Sequence, residues 1–369
     1  MSKLDGWDGW DGWDGWDGWD GWDGWSAGPS RRGSSVAGLI RNREALVGPT
    51  PVGSQHLCLP RGAGDLPTPH QLDALDQWDP AVSSRLLQTA LSEGLRFDAK
   101  GGSVEVLFDG KTIARCVRPP VGVFEAQCAL TEGWAVHRTE RAPEILSQRQ
   151  LGLAYWSTIV PLHPRRTPYT LRLLGLVLGF GSSVIQRFKH ELNCPRPRAY
   201  SSRIQPMLGE PGYSVMPSGH ATEAYLLAQL TGALIEPTWS ASAAHKAKQE
   251  AWVGQAKGQL SRLAERIATN RVVAGIHFPI DNVAGRLVGV TLAEFALARF
   301  SGGTAKWQPR TFNGVSNGLT PSMEFDPAQQ ALHGKCGHYY TIDPSQEVSG
   351  TPAHPMLLWL WNKARAEWQ

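Results

Sequence analysis

Cysteine is scarce in this 369-residue chain, and its pattern excludes more than it offers. The five residues Cys58, Cys116, Cys128, Cys194 and Cys336 are odd in number, widely spaced and nowhere in a C-x-x-C pair. That argues against a disulfide framework and a structural zinc, and it suits a reducing compartment. A secretory leader is not expected, because Met1-Ser2-Lys3-Leu4-Asp5 opens no apolar stretch. Long hydrophobic runs are missing too. The most apolar one, Leu173 to Ile185, contains three Gly and two Ser and stops at Gln186-Arg187. It falls short of the roughly 18–20 residues that cross a bilayer, so the expectation is a soluble, cytoplasmic chain with no membrane span.

What is present is a globular composition, 41% hydrophobic and 19% charged, enough for one large domain or two smaller ones. Residues 5–25 repeat Asp-Gly-Trp seven times and carry seven of the sixteen tryptophans without one cation. A period of three matches neither a helix face nor a strand face, and each Asp-Gly signals a turn. The repeat therefore reads as a disordered low-complexity tail. If that tail were the working part, the chain would be a non-catalytic interaction protein, and deleting residues 1–25 would abolish partner binding. With seven Asp confined to the tail and a net charge of +3, the remaining chain is strongly basic. A basic body points to an anionic ligand.

Residues 1–70 read as tail and linker, and 71–122 as a helix (Gln71 to Ser92) followed by a β-meander appendage from Leu95 to Val117. Helical spacing then dominates 123–300, with helices expected near 123–140, 143–158, 168–190, 219–235, 244–274 and 280–300. Residues 301–369 form a loop-rich extension ending in an amphipathic piece, Met356 to Trp368. The fold class is mainly α. The cluster His333-Gly334-Lys335-Cys336-Gly337-His338 lacks a fourth ligand at useful spacing and reads as a surface loop.

Three segments carry chemistry. In Met216-Pro217-Ser218-Gly219-His220, Ser218 is a good N-cap for the apolar helix that follows, and Gly219 leaves the backbone open to a ligand. Free N–H groups at such a helix start attract an anion, and His220 adds a proton carrier. In Lys189 to Arg198, two prolines interrupt a basic stretch, and Pro197 biases Arg196 to an extended backbone. In Asn270 to Asp281, a continuous helix would set Arg271 and His277 about 240° apart. Gly275 and Pro279 suggest a helix break that lets both converge, with Asp281 in the next first turn holding one nitrogen of His277. Lys189, Arg196 and Arg271 as cations, Ser218 and Gly219 as donors, and two histidines suit a tetrahedral oxyanion that becomes five-coordinate.

In order and spacing these segments resemble K-x6-R-P, P-S-G-H and S-R-x5-H-x3-D, the pattern of the superfamily of type 2 phosphatidic acid phosphatases, bacterial acid phosphatases and vanadium-dependent haloperoxidases. Asn270 stands where the pattern has Ser. The resemblance covers 189–281 strictly, and extends loosely from Arg141 to about Phe300, where the run looks like a soluble bacterial haloperoxidase-type member. It implies a helical bundle and one of two reactions. In the haloperoxidase reading the cofactor is vanadate, with His277 as the ligand of the metal and Asp281 orienting its ring. Lys189, Arg196, Arg271, Ser218 and Gly219 neutralise the vanadate oxygens, and His220 moves protons. Hydrogen peroxide and a halide are then the substrates, with Lys189 polarising the oxidant. In the phosphatase reading there is no cofactor and the substrate is a phosphate ester: His277 attacks phosphorus and His220 protonates the leaving alcohol. The expectation leans to the haloperoxidase. Tyr213 departs from it, since that position near the halide site carries Phe or His in those enzymes. No nucleic-acid partner is expected, and assembly into a homo-oligomer is left open.

Overall fold

The computed structural model describes residues 70–236, 243–303, 305–316, 319–332, 339–347 and 353–369. The Asp-Gly-Trp tail, nearly all of the linker and the cluster His333 to His338 lie outside the described residues. Two compact units divide the chain, Met1–Leu75 and Asp76–Gln369. The first is described only for residues 70–75.

Helix α1, Pro80–Ser92, starts where the Asp79 carboxylate accepts the Ala81 N–H at 2.8 Å, with proline in the first turn. The expected single helix from Gln71 is broken ahead of it: a short 3-10 turn, Leu72–Asp76, comes first. Strands β1 (Leu95–Lys100), β2 (Ser103–Phe108) and β3 (Lys111–Val117) form the antiparallel meander read from the sequence. The meander does not stand alone, however. Of the C-terminal strands β4 (Lys306–Trp307), β5 (Arg310–Asn313), β6 (Tyr340–Ile342) and β7 (Gln346–Glu347), β5 pairs in parallel with β3 and β6 completes a five-stranded sheet, while β4 and β7 pair separately. Two- to four-residue strands carry too little alternation to be read from sequence.

Helices α2 (Val121–Trp134), α3 (Arg138–Ser147) and the one-turn α4 (Ala154–Ser157) replace the two helices expected over 123–158. The body consists of α5 (Pro168–Leu192), α6 (Gly219–Leu234), α7 (Ala243–Val273) and α8 (Pro279–Phe300), within two residues of expectation, and α9 (Pro355–Ala366) closes the chain. Helix α8 is buried on nearly all sides, as an all-round apolar helix must be, and packs against α6. At Gly285 a Cβ would come within 2.6 Å of the Ser218 carbonyl oxygen, so only glycine permits that approach. This contact sets the start of α6 beside the start of α8. The Thr167 side chain does not cap α5; the Glu367 carboxylate does, accepting from the N–H groups of Tyr169 (2.7 Å) and Thr170 (2.8 Å).

The segment Pro168–Ala199 is long and apolar enough to cross a membrane by length and composition, with a mean hydropathy of 1.3 over its most apolar window, half of which is buried. This corrects the expectation that no segment of spanning length exists. The glycines and serines that shorten the apolar run in sequence do not interrupt the helix, which continues past Gln186-Arg187 to Leu192.

Candidate active site

Helix α5 delivers Lys189 in its last turn and ends on Asn193, whose left-handed backbone (φ 44°) returns its N–H to the Lys189 carbonyl at 3.0 Å. The buried Lys189 ammonium donates to the carbonyls of Ser214 and Val215, each at 2.9 Å. Arg196 is extended, as Pro197 requires, and its guanidinium donates to Ile276 O at 2.9 Å and Tyr213 O at 3.2 Å. Both cations face the Tyr213 ring, at 5.3 Å for Lys189 and 5.2 Å for Arg196. Beside Arg196 opens a cleft of about 440 Å³, lined also by Arg118, Asn193 and Tyr213. A second cleft, near Glu93 and His354, shares no residue with the three motifs.

Ser218 caps α6: its Oγ accepts the Ala221 N–H at 3.4 Å, which leaves the hydroxyl hydrogen to donate. Its own N–H donates to the Asp281 carbonyl at 3.0 Å, fastening the second motif to the third. A Cβ on Gly219 would meet only Ile185 Cγ2 at 3.9 Å and Lys189 Cε at 4.0 Å, so no protein atom crowds this position.

The break expected in the third motif is present. Helix α7 ends at Val273, Gly275 takes φ 76°, and Pro279 opens α8. A Cβ at Gly275 would also stand 2.7 Å from Arg138 Nη2. Asp281 Oδ2 accepts from His277 Nδ1 at 3.1 Å and from the Phe278 N–H at 2.8 Å. With Nδ1 carrying the proton toward the carboxylate, Nε2 keeps its lone pair. Arg271, fully buried, donates to Gln148 O, Gln148 Oε1 and Ile145 O, each at 3.3 Å. His220 Nε2 contacts the same Gln148 carbonyl at 2.8 Å.

Among the described residues none of Lys189, Arg196 and Arg271 ion-pairs with a carboxylate; their acceptors are neutral. Buried Arg271 Nε and Asp281 Oδ1 have no hydrogen-bond partner among the described residues. The charges of these groups act on one another. Burial, then the charges of Arg196, Lys189, His220 and Arg271, hold His277 well below the ordinary histidine value. Burial and Arg271 bring His220 down to about 3. Burial lowers Lys189 and, against the Phe278 N–H and the cations, raises Asp281. Both imidazoles are thus neutral around neutral pH, in a field that favours a bound anion. No set of three or more metal-ligating side chains forms among the described residues. The donor set nevertheless fits vanadate as it fits phosphate: cations without carboxylates, and one free imidazole nitrogen.

Residues 170–302 match the family model of the PAP2 superfamily. That span holds α5 to α8 and all three motifs. It supports phosphatase- or haloperoxidase-type activity in general. No curated protein matches the chain. Members of this superfamily are often membrane proteins, so the match together with the α5 segment overturns the cytoplasmic expectation.

Two residues at the site escape motif reading. Gln148 sits ahead of the matched span, and an uncharged amide gives no sequence signal. Glu223 lies one turn past Gly219 on the same face of α6, and its charge acts on Lys189 and Tyr213. Burial raises it to about 7. The i, i+4 spacing from Gly219 was the available clue.

Proposed function

We propose that the chain hydrolyses phosphate monoesters through a phosphohistidine. Lys189, Arg196, Arg271, the Ser218 hydroxyl and the Gly219 N–H bind the phosphoryl oxygens. His277 Nε2 attacks phosphorus as the bond to the ester oxygen breaks, and Asp281 steadies the positive charge that develops on the ring. The departing alkoxide takes a proton from His220. Burial first and Arg271 second oppose a proton on His220, and the charge of a bound dianion offsets the Arg271 part. Water, deprotonated by His220, then attacks the phosphorus on His277 and releases phosphate.

The observation that carries this reading is the set of three buried cations, without carboxylate partners among the described residues, near one imidazole held by Asp281. The choice of phosphoryl transfer over halide oxidation, a reversal of the sequence expectation, rests on Tyr213, which stands at the position near the halide site where the resembled haloperoxidases carry Phe or His. The second reading, haloperoxidase chemistry, is favoured by the fit of the same donors to vanadate, which when bound would activate hydrogen peroxide toward halide.

The deciding experiment runs two assays on the full chain and on His277→Ala: release of p-nitrophenol from its phosphate ester, and halogenation of a dye with orthovanadate, hydrogen peroxide and bromide or iodide. Ester hydrolysis that orthovanadate inhibits and His277→Ala abolishes is expected. Vanadate-dependent halogenation without hydrolysis would reverse the choice, and silence in both would return weight to the Asp-Gly-Trp tail.

A further inference from the structure

Gln148 is fully buried, carries no charge and stands outside the matched span, yet three polar groups of the site end on it. Its backbone carbonyl receives Arg271 Nη1 (3.3 Å) and His220 Nε2 (2.8 Å). Its side-chain oxygen receives Arg271 Nη2 (3.3 Å) and Asn270 Nδ2 (2.8 Å). The opposite end of the same carboxamide donates from Nε2 to Glu144 Oε1 at 3.3 Å. Glu144 is engaged in turn by Arg266 at 3.0 Å. The order in space is therefore carboxylate, amide, guanidinium.

An amide is the side chain this order calls for, because it offers a donor to the carboxylate at one end and an acceptor to the arginine at the other. We infer that Gln148 is a positioning residue, a neutral spacer that fixes Arg271 and keeps the Glu144 carboxylate from pairing with it, so that the guanidinium charge is left for a bound oxyanion. Without the spacer, a buried arginine beside a carboxylate closes into an ion pair, and the anion must then compete with an internal counter-charge. Glu144 already acts on Arg271 through the spacer. The Gln148 carbonyl also holds the His220 ring through Nε2 at 2.8 Å. This inference rests on the oxyanion-site reading of the preceding section.

Calorimetric titration of the full chain with inorganic phosphate separates the two. Wild type is expected to bind at one site. Gln148→Glu, which sets a carboxylate directly on Arg271, is expected to weaken binding about tenfold or more. Gln148→Met, which keeps the bulk but removes both amide bonds, should weaken it by about threefold to tenfold through a looser guanidinium. Relative to wild type at each pH, affinity of Gln148→Glu should recover as the introduced carboxyl is protonated, a response that a merely structural role would not give. Thermal melts establish that the variants fold, and if Gln148→Glu does not, Gln148→Met decides alone. Folded variants that bind phosphate as wild type does overturn the spacer while leaving the site reading intact. Absence of phosphate binding in wild type overturns both.

Discussion

Arg271 and Arg310 are equally buried arginines put to opposite uses. Arg310 grips Glu294 with two parallel bonds of 2.9 Å and adds Thr291 Oγ1 at 3.2 Å, so its charge is cancelled where it stands. Among the described residues Arg271 meets only neutral oxygens and leaves Nε without a partner. Burial is costly for both, and a carboxylate offsets that cost in one case only. Other buried arginines, Arg286 and Arg299, also end on carbonyls, but each lies singly over an aromatic ring. What marks the site is convergence: the charges of Arg196, Lys189 and Arg271 act on one imidazole. A buried cation is informative through what it does not pair with.

Substitutions on the two sides of this comparison should fail differently. The largest effect is expected from His277→Ala, which removes the nucleophile and should lower kcat by about a thousandfold or more with the fold retained, as steady-state kinetics and melting would show together. Arg271→Lys keeps the charge but loses the planar fork, and kcat/KM should fall about a hundredfold with little change in Tm. Glu294→Gln should show the reverse pattern. It leaves Arg310 buried without its counter-charge and should destabilise the chain by about 3 kcal/mol in denaturant melts, while activity per folded molecule is unchanged. Loss of activity in Glu294→Gln at constant folded fraction would break the division between the two arginines.

The smallest effect concerns pH. Folded Glu223 holds its proton up to about 7, against an ordinary value of 4.5. Between those values the folded state binds the extra proton, so stability falls as pH rises, and the deficit is complete above 7. Glu223→Gln should therefore raise Tm above pH 7 and leave it nearly unchanged below 4.5. The same substitution should flatten any rise in KM for the phosphate ester between pH 6 and 8, because ionised Glu223 opposes the anion at Lys189.

The helical body and the three motifs were legible because their signals are local. Proline and glycine set the breaks at Arg196 and Gly275, a serine caps α6, and apolar periodicity marks α5 to α8. The short strands β5 and β6 were not legible, since their order comes from the meander they join and not from their own residues. Gln148 escaped for a related reason: its bonds to Asn270 and Arg271 join residues more than a hundred positions apart. The membrane-length segment was misjudged because glycines and serines were counted as breaks, whereas within α5 they are carried by the surrounding turns.

The most direct test of the shared oxyanion site is equilibrium dialysis of orthovanadate against wild type, His277→Ala and Glu294→Gln. One bound vanadate per chain is expected in wild type and in folded Glu294→Gln, with loss in His277→Ala. No saturable binding in wild type, or equal binding in His277→Ala, would contradict the claim that these cations and this imidazole form one site.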